Sequence, residues 1–176
     1  MNLANKITIV RILLTPFFIA FVLYSKLNLA LIVFFIAVIS DAVDGYIARA
    51  YRQKTKLGSM LDPIADKILI ISAFVCLVFI KNLPLAVKFP PYIPIIVISR
   101  DAIILLGAVM IYVLKGDIDI KPSPLGKITT FLQMSTIIAV LMQLKCSELA
   151  WNIMIAFTAI SGMDYILRGS RALSER

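Results

Sequence analysis

Long apolar runs, repeated along the whole sequence, are the feature that most restricts how this chain can fold. Several reach about 18 residues or more, the length that an α-helix needs to cross ~30 Å of hydrocarbon. Hydrophobic residues make up 61% of the 176 residues. The mean hydropathy is +0.96, which is too apolar for a soluble globule. The sequence therefore predicts an all-α integral membrane protein, and its length suits one domain, residues 1–176.

Short segments that carry prolines or basic residues separate the apolar runs, and we predict about six transmembrane helices from them. Neighbouring helices joined by such short connections pack antiparallel, so an even number of spans places both termini on the same side of the membrane. The predicted spans are Ile9–Leu23, Leu29–Ala48, Asp62–Ile80, Tyr92–Leu114, Leu125–Leu144 and Leu149–Leu167.

The basic residues divide unequally between the two sides of this arrangement. One side has only Lys26, Lys81, Lys88 and Lys145, and the side that holds both termini has most of the others. Cytoplasmic loops carry an excess of Lys and Arg, so both termini are predicted to be cytoplasmic, in a multi-pass protein of the inner cell membrane. The formal charge of +8 lies in short clusters between apolar runs. This pattern fits loops that face anionic lipid better than a nucleic-acid surface.

Four aspartates lie at the cytoplasmic ends of the second and third predicted spans. Asp41 and Asp44 are three residues apart, and Asp62 and Asp66 are four apart, so each pair lies on one face of its helix. Two carboxylates ~4 Å apart repel each other by roughly 4 kcal/mol at an effective dielectric constant of about 20. Either some of these acids stay protonated or a cation binds them.

The residue types limit which cation this could be. The sequence has no histidine, and Cys76 and Cys146 lack metal-ligand spacing. A donor set made only of oxygen atoms favours Mg²⁺, Mn²⁺ or Ca²⁺ over zinc. Together with Arg49 and nearby lysines, such an ion suits a phosphate or pyrophosphate group. A free carboxylate can take a proton from an attacking hydroxyl, so the residues indicate metal-assisted phosphoryl chemistry on a lipid.

Two other interpretations of the aspartates stay open. In the first, they cap helices and pair with Arg49, Arg52 and Lys67; the cost of gathering charges at membrane depth weighs against this purely structural role. In the second, they form an ion or proton relay in a small transporter. Transporter sites usually lie near the midplane on broken helices, whereas these acids lie at helix ends beside a basic loop.

The stretch from Asp41 to Asp66 has the spacing D-x2-D-G-x2-A-R-x8-G-x3-D-x3-D. It resembles the signature of the CDP-alcohol phosphatidyltransferase family. The resemblance implies that an acceptor hydroxyl attacks the β-phosphorus of CDP-diacylglycerol and that CMP leaves. It also implies a homodimer among membrane lipids, with a polar cavity in each protomer open to the cytoplasmic face. The matching positions are Asp41, Asp44, Gly45, Ala48, Arg49, Gly58, Asp62 and Asp66.

The resemblance also assigns roles to residues. It makes Asp66 the general base that accepts the proton of the acceptor hydroxyl. The ligands of Mg²⁺ or Mn²⁺ would be Asp41, Asp44, Asp62 and Asp66. The residues that bind the CDP group would be Asp41, Asp44, Gly45, Ala48, Arg49, Gly58, Ser59 and Asp62.

Other segments bear on the acceptor alcohol. The family branch that uses glycerol 3-phosphate and forms phosphatidylglycerophosphate is resembled by the opening NLANKITIVRILLTPFFIAFVLY, by the later LGKITTFLQM and by SGMDY near the end. Arg100 and Lys127 are the candidates to bind the phosphate of that acceptor. The structural alternatives are a pair between Arg100 and Asp101, and a solvated loop position for Lys127.

One departure favours a different acceptor. The glycerol 3-phosphate branch usually carries a second arginine about two turns after the first, but this chain reads AIILLGAVM there. The ISRDxxxL pattern and KPSPLGKITTFLQ resemble the branch that forms cardiolipin from phosphatidylglycerol. We expect glycerol 3-phosphate as the acceptor, with phosphatidylglycerol as the first alternative and inositol-type or serine-type acceptors after it.

Overall fold

Six α-helices make up the computed structural model, and the part of the chain that it describes contains no strand. It describes the backbone of residues 3–50, 56–80, 83–85, 88–115 and 123–174, and the side chains of residues 9–40, 67–80, 83–85, 88–107, 109–110 and 123–170. The helices are α1 (Leu3–Leu23), α2 (Leu27–Ala50), α3 (Lys56–Phe79), α4 (Tyr92–Lys115), α5 (Pro124–Leu141) and α6 (Ser147–Ser174).

The predicted order of six helices is confirmed, and most helix ends lie within a few residues of the predicted ones. Three helix ends differ more. Helix α1 begins at Leu3 and not at Ile9, and α3 begins at Lys56 and not at Asp62. Helix α6 ends at Ser174 and not at Leu167. An apolar run marks the part of a helix that suits lipid, whereas backbone hydrogen bonding continues through polar residues. Gly58 and Ser59 therefore lie in the first turn of α3, and Asp62 and Asp66 lie one or more turns further in.

Helix α1 packs against both α2 and α3, and α6 packs against both α4 and α5. Helix α5 also contacts α2 and α3, while α4 contacts α3, so the two groups of helices share one core. Aromatic rings fill parts of this core. The ring centroids of Phe18 and Phe34 lie 5.6 Å apart, and Phe89 lies 5.5 Å from both Phe74 and Trp151.

Three of the connections between helices meet at one end of the molecule. Ser25 follows α1, Pro84 lies between α3 and α4, and Gln143 follows α5; all three line one cavity. The side-chain amide of Gln143 donates a hydrogen bond to the backbone carbonyl of Pro84 at 3.0 Å. Ser25 and Gln143 both have φ of 55°, the left-handed conformation that commonly ends a helix. This meeting agrees with the predicted antiparallel arrangement.

Two of the described helices are long and apolar enough to cross a membrane: α5 over Pro124–Leu141 and α6 over Ser147–Ser170. The apolar parts of α1, α2 and α3 that the structure describes are shorter. The all-helical architecture with two such helices is consistent with a membrane protein. That all six helices span the membrane stays a prediction.

Candidate functional site

The aspartates and glycines of the signature lie on two helices. Asp41 to Arg49 belong to the last part of α2, and Gly58 to Asp66 belong to the first part of α3. The helical backbone keeps each aspartate pair on one helix face, as the spacing predicts. The side chains lie outside the described part of the structure, so the metal and CDP contacts stay predictions for Asp41, Asp44, Gly45, Ala48, Arg49, Gly58, Ser59, Asp62 and Asp66.

The chemistry of this donor set fits a hard divalent cation. All four acidic groups are carboxylates, and Mg²⁺ and Mn²⁺ prefer such oxygen donors. Among the described side chains, no three His, Cys, Asp or Glu residues are grouped closely enough to hold a metal ion. The four aspartates of the signature stay the predicted ligands.

Beside the signature, a chain of polar contacts joins α3, α4 and α6. Arg100 of α4 donates from Nη1 to Asp101 at 2.8 Å and from Nη2 to the hydroxyl of Ser161 at 2.6 Å. The other carboxylate oxygen of Asp101 accepts a hydrogen bond from Lys67 Nζ at 2.6 Å. The Arg100 and Asp101 side chains are 8% and 7% exposed, whereas that of Lys67 is 34% exposed. Asp101 therefore forms ion pairs with two basic side chains, Lys67 and Arg100, and is itself largely buried.

The predicted alternative for Arg100, a pair with Asp101, is thus present in the structure. This pair leaves at least one donor of the guanidinium group without a partner, because Arg100 Nε is buried and makes no hydrogen bond within the described part. Binding of an acceptor by Arg100 stays a prediction.

Two glycines make room for the Arg100 side chain. A Cβ atom on Gly126, in the first turn of α5, would lie 3.3 Å from Arg100 Nη2. A Cβ atom on Gly162 of α6 would lie 3.5 Å from Arg100 Cγ. Helices α5 and α6 therefore approach the arginine closely on the sides where these glycines lie.

Lys127, the second predicted acceptor residue, follows Gly126 directly and has an exposed side chain. It belongs to the first turn of α5 and not to a loop, and its backbone N–H donates to the carbonyl of Ser123 at 3.3 Å. The structure therefore brings Lys127 and Arg100 into the same region, through the close approach of Gly126 to the guanidinium.

A second polar cluster ties the start of α5 to α6. The carboxylate of Asp164 accepts from the Ser123 hydroxyl at 2.9 Å and from Arg168 Nε at 2.9 Å. No role for Asp164 is predicted from the sequence, because a contact between residues 41 positions apart has no local signal.

Of the contacts of Arg100, the pair with Asp101 is predicted from the sequence, whereas those with Ser161, Gly126 and Gly162 are not. Lys67 is predicted only as a structural partner of the aspartates. Ser161 and Gly162 belong to SGMDY and Gly126 to KPSPLGKITTFLQ, and neither motif by itself indicates a contact with Arg100. Polar or small residues inside otherwise apolar helices are the signal that could have suggested an interior contact.

Comparison with known proteins identifies the family. A family model described as CDP-alcohol phosphatidyltransferase matches residues 1–163. A CDP-diacylglycerol–glycerol-3-phosphate 3-phosphatidyltransferase of Bacillus subtilis is 32% identical over 195 residues, covering 98% of this chain and 97% of the relative. One of the same name from Aquifex aeolicus is 25% identical and covers 98% of each chain. A cardiolipin synthase (CMP-forming) of Rattus norvegicus is 36% identical over 113 residues, covering 64% of this chain and 35% of the relative. The chain therefore belongs to the CDP-alcohol phosphatidyltransferase family and is an enzyme.

Proposed function

We propose that this enzyme transfers a phosphatidyl group from CDP-diacylglycerol to glycerol 3-phosphate, releasing CMP and forming phosphatidylglycerophosphate in phospholipid biosynthesis. One observation carries the choice of acceptor: the Bacillus subtilis relative named for this reaction aligns with 98% of the chain and is itself covered over 97% of its length. The family signature from Asp41 to Asp66 supplies the residues that the reaction needs.

Asp66 is the proposed general base. Its carboxylate takes the proton of the acceptor hydroxyl while the hydroxyl oxygen forms a bond to the β-phosphorus. The bond from that phosphorus to the CMP oxygen breaks, and CMP leaves with the electron pair. The residues proposed to bind the CDP group are Asp41, Asp44, Gly45, Ala48, Arg49, Gly58, Ser59 and Asp62.

Mg²⁺ or Mn²⁺ is the proposed cofactor, held by Asp41, Asp44, Asp62 and Asp66. The oxygen-only donor set supports this choice. When bound, such an ion neutralises charge on the phosphate oxygens and on the leaving group. Asp41, Asp44, Asp62 and Asp66 would hold the ion, and its positive charge would offset the repulsion between the four carboxylates.

Arg100 and Lys127 are the proposed partners of the acceptor phosphate. The buried Nε of Arg100, which has no partner in the described part, supports this role. So does the exposed side chain of Lys127, the residue after the glycine that lies against the guanidinium. Hydrogen bonds between a cation and a phosphate are among the stronger ones in proteins, and they suit recognition of a doubly charged monoester.

We also propose that residues 1–176 form one domain that spans the inner cell membrane with six helices, with both termini and a polar cavity on the cytoplasmic side. The apolar lengths of α5 and α6 support this, and so does the meeting of three connections at one end of the molecule. Many large apolar side chains are exposed, among them Phe17, Leu106 and Phe131. Such side chains suit contact with lipid or with a second copy in a homodimer.

Phosphatidylglycerol is the second candidate acceptor. The absence of a basic residue in α4 between Asp101 and Lys115 favours it, because a phosphodiester carries less charge than a phosphate monoester and needs fewer cationic partners. The match to the rat cardiolipin synthase supports this alternative over part of the chain.

The reaction class is tested by measuring CMP release from CDP-diacylglycerol by purified enzyme in detergent. We expect release that depends on an acceptor and on added Mg²⁺ or Mn²⁺, and that a chelator abolishes. Release that persists in chelator would contradict the proposed cofactor, whereas a protein that moves ions and releases no CMP would support the transporter interpretation.

A further inference from the structure

Lys67, Arg100 and Asp101 form a group of three charges that do not cancel; we call it the triad. Both cations share the single carboxylate of Asp101, so two positive charges and one negative leave one net positive charge. The third partner of Arg100 is the neutral hydroxyl of Ser161. Because charges away from water are costly unless they are compensated, an excess of this kind favours an anionic ligand.

The triad also has N–H donors that form no hydrogen bond within it. A lysine ammonium has three N–H donors, and Lys67 gives one to Asp101. With 34% of its side chain exposed, Lys67 is the member of the triad that a ligand can reach, whereas Arg100 and Asp101 lie behind it at 8% and 7%. Arg100 adds a buried Nε without a partner in the described part.

The position of Lys67 in α3 indicates which anionic ligand the triad would bind. Lys67 follows Asp66 in α3, so the two positions lie about 3.8 Å apart along the backbone and about 100° apart around the helix axis. Lys67 thus turns towards Asp101 of α4, away from the face that carries Asp62 and Asp66. A phosphate bound by Lys67 is therefore held at the residue that follows the proposed base, off the helix face on which the spacing places the proposed metal ligands.

We propose that Asp101 is a positioning residue that holds Lys67 and Arg100 together as a receptor for the acceptor phosphate, with Lys67 contacting it directly. This inference rests on the proposed function and adds two residues to its acceptor site. The chemistry recognised is an anionic phosphate oxygen, which glycerol 3-phosphate carries as a monoester and phosphatidylglycerol as a diester.

The test is steady-state kinetics of the full-length enzyme in detergent, with KM measured separately for CDP-diacylglycerol and for each acceptor. Lys67→Gln is expected to raise the acceptor KM about tenfold, the effect of losing one charge-assisted hydrogen bond to the ligand. Asp101→Asn is expected to raise it as well, because Lys67 and Arg100 lose the carboxylate that holds them in place, and this loss outweighs the added positive charge. The KM for CDP-diacylglycerol is expected to stay within about twofold of the wild-type value, because neither substituted residue is proposed to contact that substrate. Lys67→Arg keeps the charge and is expected to recover most of the acceptor affinity.

Arg168→Gln is the matched control, since it breaks an ion pair with Asp164 on α6 outside the triad. It is expected to leave both KM values unchanged. If Asp101→Asn fails to fold, the result for Lys67→Gln tests the proposal, because the Lys67 side chain is partly exposed and its replacement is expected to leave the fold intact.

The outcomes separate the two hypotheses. A wild-type enzyme that releases no CMP with either acceptor would overturn the proposed function and this inference with it. An active wild type whose Lys67→Gln variant keeps its acceptor KM, or raises both KM values alike, would overturn this inference alone. If the effect appears with glycerol 3-phosphate, the triad binds a monoester; if it appears only with phosphatidylglycerol, it binds a lipid diester.

Discussion

Asp66 is the residue on which the proposed chemistry depends most. Asn at this position keeps the shape of the side chain and loses its basicity, while Asp41, Asp44 and Asp62 remain to hold the metal. We therefore expect Asp66→Asn to lower kcat by about 10²–10⁴-fold, the usual contribution of a general base. Binding of CDP-diacylglycerol, measured by equilibrium titration, should be partly retained. A variant with wild-type turnover would show that another group accepts the proton.

Gly126 gives a second test at the scale of single residues, because its missing side chain leaves space for Arg100. A methyl group there would lie 3.3 Å from Arg100 Nη2, closer than an ordinary contact, and the guanidinium would have to shift from Ser161. We expect Gly126→Ala to raise the KM of the acceptor a few-fold, about 1 kcal/mol, with the KM for CDP-diacylglycerol as the internal reference. An acceptor KM equal to that of the wild type would mean that Arg100 has room to adjust.

At the scale of helices, α4 and α6 approach closely because Gly107 has no side chain. A Cβ atom there would lie 2.9 Å from the ring of Tyr165. Since overpacking typically costs roughly 1–3 kcal/mol, Gly107→Ala should lower the Tm in detergent. Gly162→Ala is the matched control, because its Cβ would meet Arg100 at 3.5 Å, an ordinary contact. Equal Tm values for the two variants would contradict the close packing of α4 on α6.

The helices were predictable from sequence, whereas the contacts between them were not. Apolar runs gave the order of six helices, and prolines marked the connection before α4 and the start of α5. The start of α1, the start of α3 and the end of α6 lie beyond the predicted spans, because the helical backbone there continues through polar residues that an apolar run leaves out. The partnership of Lys67 with Asp101 was missed because it joins residues 34 positions apart, and no local pattern encodes such a contact.

At the scale of the whole molecule, the proposed membrane orientation can be tested with the native cysteines. Cys146 is exposed in the connection between α5 and α6, and Cys76 is half-buried against the core. We expect a membrane-impermeant thiol reagent to label Cys146 on intact cells, because that connection is predicted to face away from the cytoplasm. A Lys127→Cys variant that lacks Cys146 should be labelled only after permeabilisation. The reverse pattern would invert the proposed orientation.

The proposed acceptor is tested most directly by product analysis of the purified enzyme with CDP-diacylglycerol, offered glycerol 3-phosphate and phosphatidylglycerol in parallel with Mg²⁺ or Mn²⁺. We expect phosphatidylglycerophosphate, with one CMP released for each molecule formed, in the first reaction and little product in the second. Cardiolipin formed from phosphatidylglycerol, with no product from glycerol 3-phosphate, would contradict the proposed acceptor. Absence of CMP in both reactions would contradict the proposed reaction itself.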